Sequence, residues 1–265
     1  MKMEEGKTYM MPLIMGPIYE QGTGIPYPEV EVVVLQFQSD REAIQRLLPD
    51  CYTVAKEPMV QIMFGYNNGL EFMAGGGYNL AAVQVAAQFH GEQDNIEGDY
   101  ILVMFENKTI PILGGREQLG VPKLYADIPP VKLLKDGHLR CEVSLWGHLL
   151  FGIDLSPAKK QNAVVRAVAS RRINSRPWLA YKYIAALDGP PDADYPTITS
   201  NDTKIDTLWL SDSGSVYFGD PGENDISNGI YLLDALKTLP FIKFEQAVRF
   251  RGSAVLRYDL SRRLQ

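Results

Sequence analysis

Val131–Trp146, VKLLKDGHLRCEVSLW, is two apolar-rich, alternating runs joined by Asp136-Gly137. An Asp-Gly pair in that setting is a strong hairpin signal, because the tight turns that match strand twist need positive φ at their centre. A second turn follows at Gly147. Upstream, Glu29–Gln38 (EVEVVVLQFQ), Met59–Tyr66 (MVQIMFGY) and Tyr100–Glu106 (YILVMFE) are rich in β-branched and other apolar residues. Asn67-Asn68-Gly69 and Glu97-Gly98-Asp99 punctuate them, so all three are expected as strands. Asn79–Phe89 (NLAAVQVAAQF) fits a strand or a helix. Downstream, Trp178–Leu187, Thr203–Leu210, Ser215–Phe218 and Pro240–Phe250 are expected to be extended. Two helices are expected: one at 40–48, opened by a Ser39/Glu42 capping box and stopped at Pro49, and one at 157–172, opened by Ser156-Pro157. Strands far outnumber helices and do not alternate with them. The order predicts one mainly β domain over 1–265, antiparallel, with a few peripheral helices.

Composition narrows the function. The 265 residues are 46% hydrophobic and 22% charged, as in an ordinary folded protein. With 26 basic against 32 acidic residues and a net charge of −6, nucleic acid is not an expected partner. Cys51 and Cys141 stand far apart without CxxC spacing, which predicts neither a disulfide framework nor a zinc knuckle. No signal-peptide pattern opens the chain and no long apolar run crosses it, so a cytoplasmic setting and no membrane partner are expected. His90, His138 and His148 lack metal-pair spacing, and no metal is expected. Ala74–Tyr78 (AGGGY) lacks phosphate-loop spacing and predicts a turn or bulge, while Ser213-Gly214-Ser215 is not a nucleophile elbow. No cofactor is called for.

Gly114–Asp127, GGREQLGVPKLYAD, is different. Lys123 is a lone cation among Leu119, Val121, Pro122 and Leu124, and Pro122 restricts the backbone on both sides of its own nitrogen. By residue type alone this is also compatible with a solvated lysine whose stem covers apolar surface.

The segment resembles the active-site stretch of the acetoacetate decarboxylase family, in which G-R-E, three residues and x-P-K carry a Schiff-base lysine. Gly115-Arg116-Glu117 and Val121-Pro122-Lys123 reproduce that spacing, and Glu57-Pro58, Gly98-Asp99-Tyr100, Arg176-Pro177 and Leu239-Pro240 extend the similarity. The resemblance implies a Lys123 nucleophile, a small-molecule keto acid as substrate, and a cone-like antiparallel β barrel with peripheral helices, assembled as a homo-oligomer. Three departures stand out. Leu124 occupies the position of the family's usual second lysine; Val30 falls where a substrate-clamping arginine is expected; Met63 falls where one of two pocket glutamates is expected. The other glutamate falls near Gly75, with Glu71 close in sequence.

An amine attacks a ketone only when neutral, and at an ordinary value near 10.4 only about one lysine in a few thousand is neutral at pH 7. With Leu124 in place of the neighbouring cation, apolar burial is left to favour the neutral form. The imine then serves as an electron sink for a bond breaking next to it. Glu117, Glu71 and Tyr125 are the candidate proton donors, and Arg116 is a candidate carboxylate clamp or a structural ion-pair partner. Three functions remain open: a β-keto acid decarboxylase, an aldolase-dehydratase through the same imine, and a non-catalytic small-molecule binder.

Overall fold

The computed structural model describes residues 2–265. In chain order they form β1 (Ile25–Gln38), α1 (Arg41–Gln45), β2 (Tyr52–Val54), β3 (Met59–Leu70), β4 (Gly76–His90), β5 (Asn95–Glu106), α2 (Thr109–Gly114) and β6 (Lys123–Tyr125). There follow β7 (Lys132–Leu133), β8 (Leu139–Leu145), β9 (His148–Leu155), β10 (Lys159–Lys160), α3 (Ala163–Asn174), β11 (Trp178–Ile184) and β12 (Ala193–Ser211). The chain ends through β13 (Gly214–Phe218), α4 (Glu223–Ile226), α5 (Gly229–Lys237) and β14 (Lys243–Arg263).

Seven strands close a ring of pairings, β4–β3–β1–β14–β12–β11–β5 and back to β4. All are antiparallel except β5–β11. A second sheet, β13–β9–β8–β7, packs with α5 against the outside of the ring. The strands beneath it, chiefly β3, β4 and parts of β1 and β5, are therefore buried on both faces, which is why EVEVVVLQFQ and MVQIMFGY are nearly continuous apolar runs. Val33, Leu35, Ile62 and Phe64 face outward into the core shared with Phe151 and Leu236. Val34, Met63, Ala82 and Met104 face inward, in register across four strands.

The mainly β class is as expected. Asp136-Gly137 joins β7 to β8, with Gly137 at φ 85°, and Trp146 and Gly147 take φ 51° and 85° in the turn between β8 and β9. Asn79–Phe89 is strand, held in register by β3 and β5. Three local expectations need correction. Asp40 caps α1, its Oδ1 accepting from Ala43 N at 2.8 Å, whereas Ser39 is buried in the link after β1. The second helix starts at Ala163 instead of 157, because Lys159 and Lys160 pair with β12 and the Asn162 side chain then accepts from Val164 N and Val165 N. The helix α5 lies in a stretch with no helix expected; its apolar face buries Leu233 and Leu236 against the outer core.

Ring closure depends on Gly98. A β-carbon there would lie 2.5 Å from the Pro177 carbonyl oxygen, where β5 meets β11. Gly98→Ala is expected to lower stability by about 1–3 kcal/mol, the usual cost of overpacking against backbone, read as a lower denaturant midpoint. An unchanged midpoint would mean that the β5–β11 seam yields freely.

Candidate active site

Each glycine of the GGREQLGVPK segment leaves room for a particular side chain. A β-carbon on Gly114 would lie 2.8 Å from the Tyr19 ring, and one on Gly115 would lie 2.6 Å from Lys123 Nζ and closer still to its Cδ and Cε. One on Gly120 would meet Lys182 Cβ at 2.6 Å. The chain makes a single wide turn over Gly115–Leu119, and Gly120 at φ 75° ends it. Val121 N then donates to Gly115 O at 3.0 Å, Pro122 O accepts from Met104 N, and Lys123 enters β6 opposite Met104. The lysine is thus presented from a backbone fixed on both sides.

Lys123 is 5% exposed. Its Nζ lies 2.7 Å from Glu106 Oε1 and donates to Pro111 O at 3.0 Å. Glu106 is fully buried, and neither of its carboxyl oxygens has a well-aligned hydrogen bond among the described residues, so the contact with Lys123 is chiefly one of charge. Burial pushes the Glu106 carboxyl up, against the downward pull of Lys123. Tyr27 and Tyr78 share a hydroxyl–hydroxyl hydrogen bond at 3.1 Å, and both line the same cavity as Lys123. Burial raises both phenols, which keeps them protonated donors; the Glu106 charge raises them further.

The cavity inside the ring has a volume of about 170 Å³. With roughly 30 Å³ per water in the liquid, that suits a compact ligand. Its wall near the lysine is apolar: Met104, Leu119 and Val121 line it, and so do Val30 and Met63, the two positions where charged residues were expected.

The other sequence-derived candidates lie elsewhere. Arg116 is exposed and donates through Nη1 to the Lys123 carbonyl at 2.9 Å, so it braces the lysine's backbone from outside. Glu117 is half-buried and uses its carbonyl to accept from Lys182, Glu71 is exposed in the turn after β3, and neither lines the cavity. Tyr125 is exposed and donates to Asp127. None of these side chains contacts Lys123 Nζ; Glu106 does. Its signal in the sequence was a single carboxylate ending the apolar run YILVMFE, two residues from Met104 and hence on the same strand face. Tyr27 and Tyr78 carried no comparable signal. Among the described residues no group of His, Cys, Asp and Glu could hold a metal, and no helix is long and apolar enough to cross a membrane.

Comparisons with known proteins bear on the family and the fold. Residues 10–249 match the family model for acetoacetate decarboxylase. Acetoacetate decarboxylase 1 of Bradyrhizobium diazoefficiens is 27% identical over 203 residues, covering 72% of each chain. Among solved structures, acetoacetate decarboxylase from Legionella pneumophila superimposes with a TM-score of 0.73 at 20% identity, covering 92% of this chain and 88% of that one. The enduracididine biosynthesis enzyme MppR, complexed with the condensation product of pyruvate and imidazole 4-carboxaldehyde, gives 0.71 at 16% identity over 98% and 97%. With the family match spanning nearly the whole chain, this protein belongs to the acetoacetate decarboxylase family.

Proposed function

We propose that the protein is a lyase that decarboxylates a β-keto acid through an imine on Lys123. The observation that carries this reading is the buried contact between Lys123 Nζ and Glu106, 2.7 Å long, beside the apolar part of the cavity wall. Because burial raises the Glu106 carboxyl, that group is suited to hold a proton while the amine attacks. Lys123 Nζ adds to the ketone carbon, and loss of water leaves a protonated imine. The bond to the carboxylate carbon then breaks, its electron pair moves toward the iminium nitrogen, and carbon dioxide leaves an enamine. A solvent proton, taken up by Glu106, adds to the enamine carbon, and water then releases the ketone and restores the amine. Tyr27 and Tyr78 are the nearby neutral donors for substrate oxygens, and Arg116 is a positioning residue acting through the Lys123 carbonyl.

Val30 and Met63 in the cavity wall favour a less restricted or more apolar substrate than acetoacetate, since no side chain at either position can clamp a carboxylate. Apolar walls also assist a step in which charge disperses. A second reading draws on MppR, whose bound condensation product joins pyruvate to an aldehyde. That reaction, an aldol addition with loss of water, starts from the same imine but needs a second carbonyl held and polarised. A homo-oligomer, a cytoplasmic setting and one domain over 1–265 accompany the proposal.

The test is borohydride reduction in the presence of a β-keto acid, with peptide mass mapping and carbon dioxide release across a series of chain lengths. Mass should be added at Lys123 and gas released. Label spread over surface lysines would defeat the imine. Labelling without gas from any keto acid, with condensation product from pyruvate and an aldehyde, would select the second reading.

A further inference from the structure

The inner wall is apolar near Lys123 but not throughout: Asn67, Thr203 and Arg176 also line the cavity, and one layer of it is built from glutamines. Successive inward-facing residues along a strand are about 7 Å apart, so the ring interior is built in layers. Met104, which pairs with Lys123, is level with Ala82, Met63, Val34 and Val248. The next layer places Gln84 opposite Gln61, Gln61 opposite Gln36, and Gln36 opposite Gln246. Their side chains form an unbroken amide ladder: Gln246 Nε2 donates to Gln36 Oε1, Gln36 Nε2 to Gln61 Oε1, and Gln61 Nε2 to Gln84 Oε1 at 2.6 Å. Gln36, Gln61 and Gln246 line the same cavity as Lys123. The ladder ends on Gln84, which is fully buried behind the cavity lining and whose Nε2 has no hydrogen-bond partner among the described residues, so the ladder meets the cavity through the other three amides.

A buried amide donor without an acceptor is costly, and apolar side chains would fill this layer as they fill the one beside it. Amides hydrogen-bonded in series also polarise one another in the same sense, which strengthens the free end. We propose that the ladder is a specificity subsite for a neutral polar group on the substrate's tail, such as an amide, a second carbonyl or a hydroxyl, held about one layer from the reacting carbon. This proposal rests on the Lys123 imine reading and extends it to the far end of the substrate. A neutral group is specified because the ladder itself carries no charge and Arg176, a half-buried cation that also lines the cavity, is already paired with Glu97 and Asp99, while Arg172 in the same lining lies exposed. A primary amide offers both a donor and an acceptor, and so suits either orientation of the four side chains.

Two ketones of matched shape separate the possibilities: 5-oxohexanamide, with an amide tail, and 6-methylheptan-2-one, with an isopropyl tail. Affinity is measured by calorimetry without borohydride, and the rate of labelling at Lys123 with it. The amide ketone should bind and label about tenfold or more in preference to its apolar counterpart, as expected where a site is built to hydrogen-bond. Gln84→Met should reduce that preference to within about twofold; Gln246→Met, at the half-buried end, serves the same purpose if the first variant does not fold. Equal affinities in the unaltered protein, or a preference that survives the substitution, would overturn the ladder's role even if Lys123 is labelled. A preference in binding without label at Lys123 would support the subsite and remove the imine reading instead.

Discussion

Replacing Lys123 with methionine is expected to lower turnover by about 10⁴-fold or more, on the scale seen when a covalent nucleophile is removed, and to abolish borohydride-dependent labelling. Methionine is nearly as long and fills the buried channel, so the variant isolates loss of the amine from loss of packing. It also leaves Glu106 fully buried without its cationic neighbour. Removing one member of a buried pair costs about 3–5 kcal/mol if the other stays charged. The carboxyl can avoid that cost by keeping a proton, the direction in which burial already pushes it. A group whose folded value is raised contributes stability that is fully present below its unfolded value and is lost as pH climbs through the folded one. Lys123→Met should therefore match the parent protein's stability near pH 5 and fall behind it progressively toward pH 8 and above. Adding Glu106→Gln should flatten that dependence. Denaturant midpoints across this range provide the check, and a single variant whose deficit does not change with pH would contradict the assignment of Glu106 as the buried partner.

Gly115→Ala should slow turnover sharply while leaving the protein folded. The added carbon would overlap the Lys123 stem and come within 2.6 Å of Nζ, so the lysine has to leave its position between Glu106 and Pro111. A shift of about 1 Å in a reacting group commonly costs on the order of 100-fold, while relieving the overlap should cost about 1–3 kcal/mol of stability. The expected pattern is a fall in kcat with a folded protein and slow labelling. Turnover within about twofold of the parent would mean that Lys123 reacts from some other position. Gly115 follows Gly114 in the GGRE stretch, and the two glycines act separately: one admits the Tyr19 ring and the other the lysine itself.

The mainly β class followed from the sequence because strand signals are local. Asp136-Gly137 specified its turn through the φ values it tolerates, and long β-branched runs such as Glu29–Gln38 have few alternatives to a doubly buried strand. Lys123 was also legible, through the family resemblance that the G-R-E/P-K spacing carries; the structure adds that side chains on Gly114, Gly115 and Gly120 would collide with Tyr19, Lys123 and Lys182. Capping was less legible, since Ser39 and Asp40 both qualify by type and the strand pairing of the neighbouring chain decides which one faces the helix. The lysine's partner was decided by tertiary structure. Glu117 and Glu71 are near in sequence or in family position, yet the wide turn directs Glu117 away and the turn after β3 leaves Glu71 in solvent. Glu106 reaches Lys123 through the parallel pairing of β5 with β6, where Met104 meets the lysine and Glu106 follows two residues on along the same face. The glutamine ladder arose in the same way. Gln36, Gln61, Gln84 and Gln246 lie scattered along the chain, and only the register of four strands brings them into one row. Sequence spacing determines which face of its own strand a residue occupies; which residues of other strands stand beside it depends on how the ring closes.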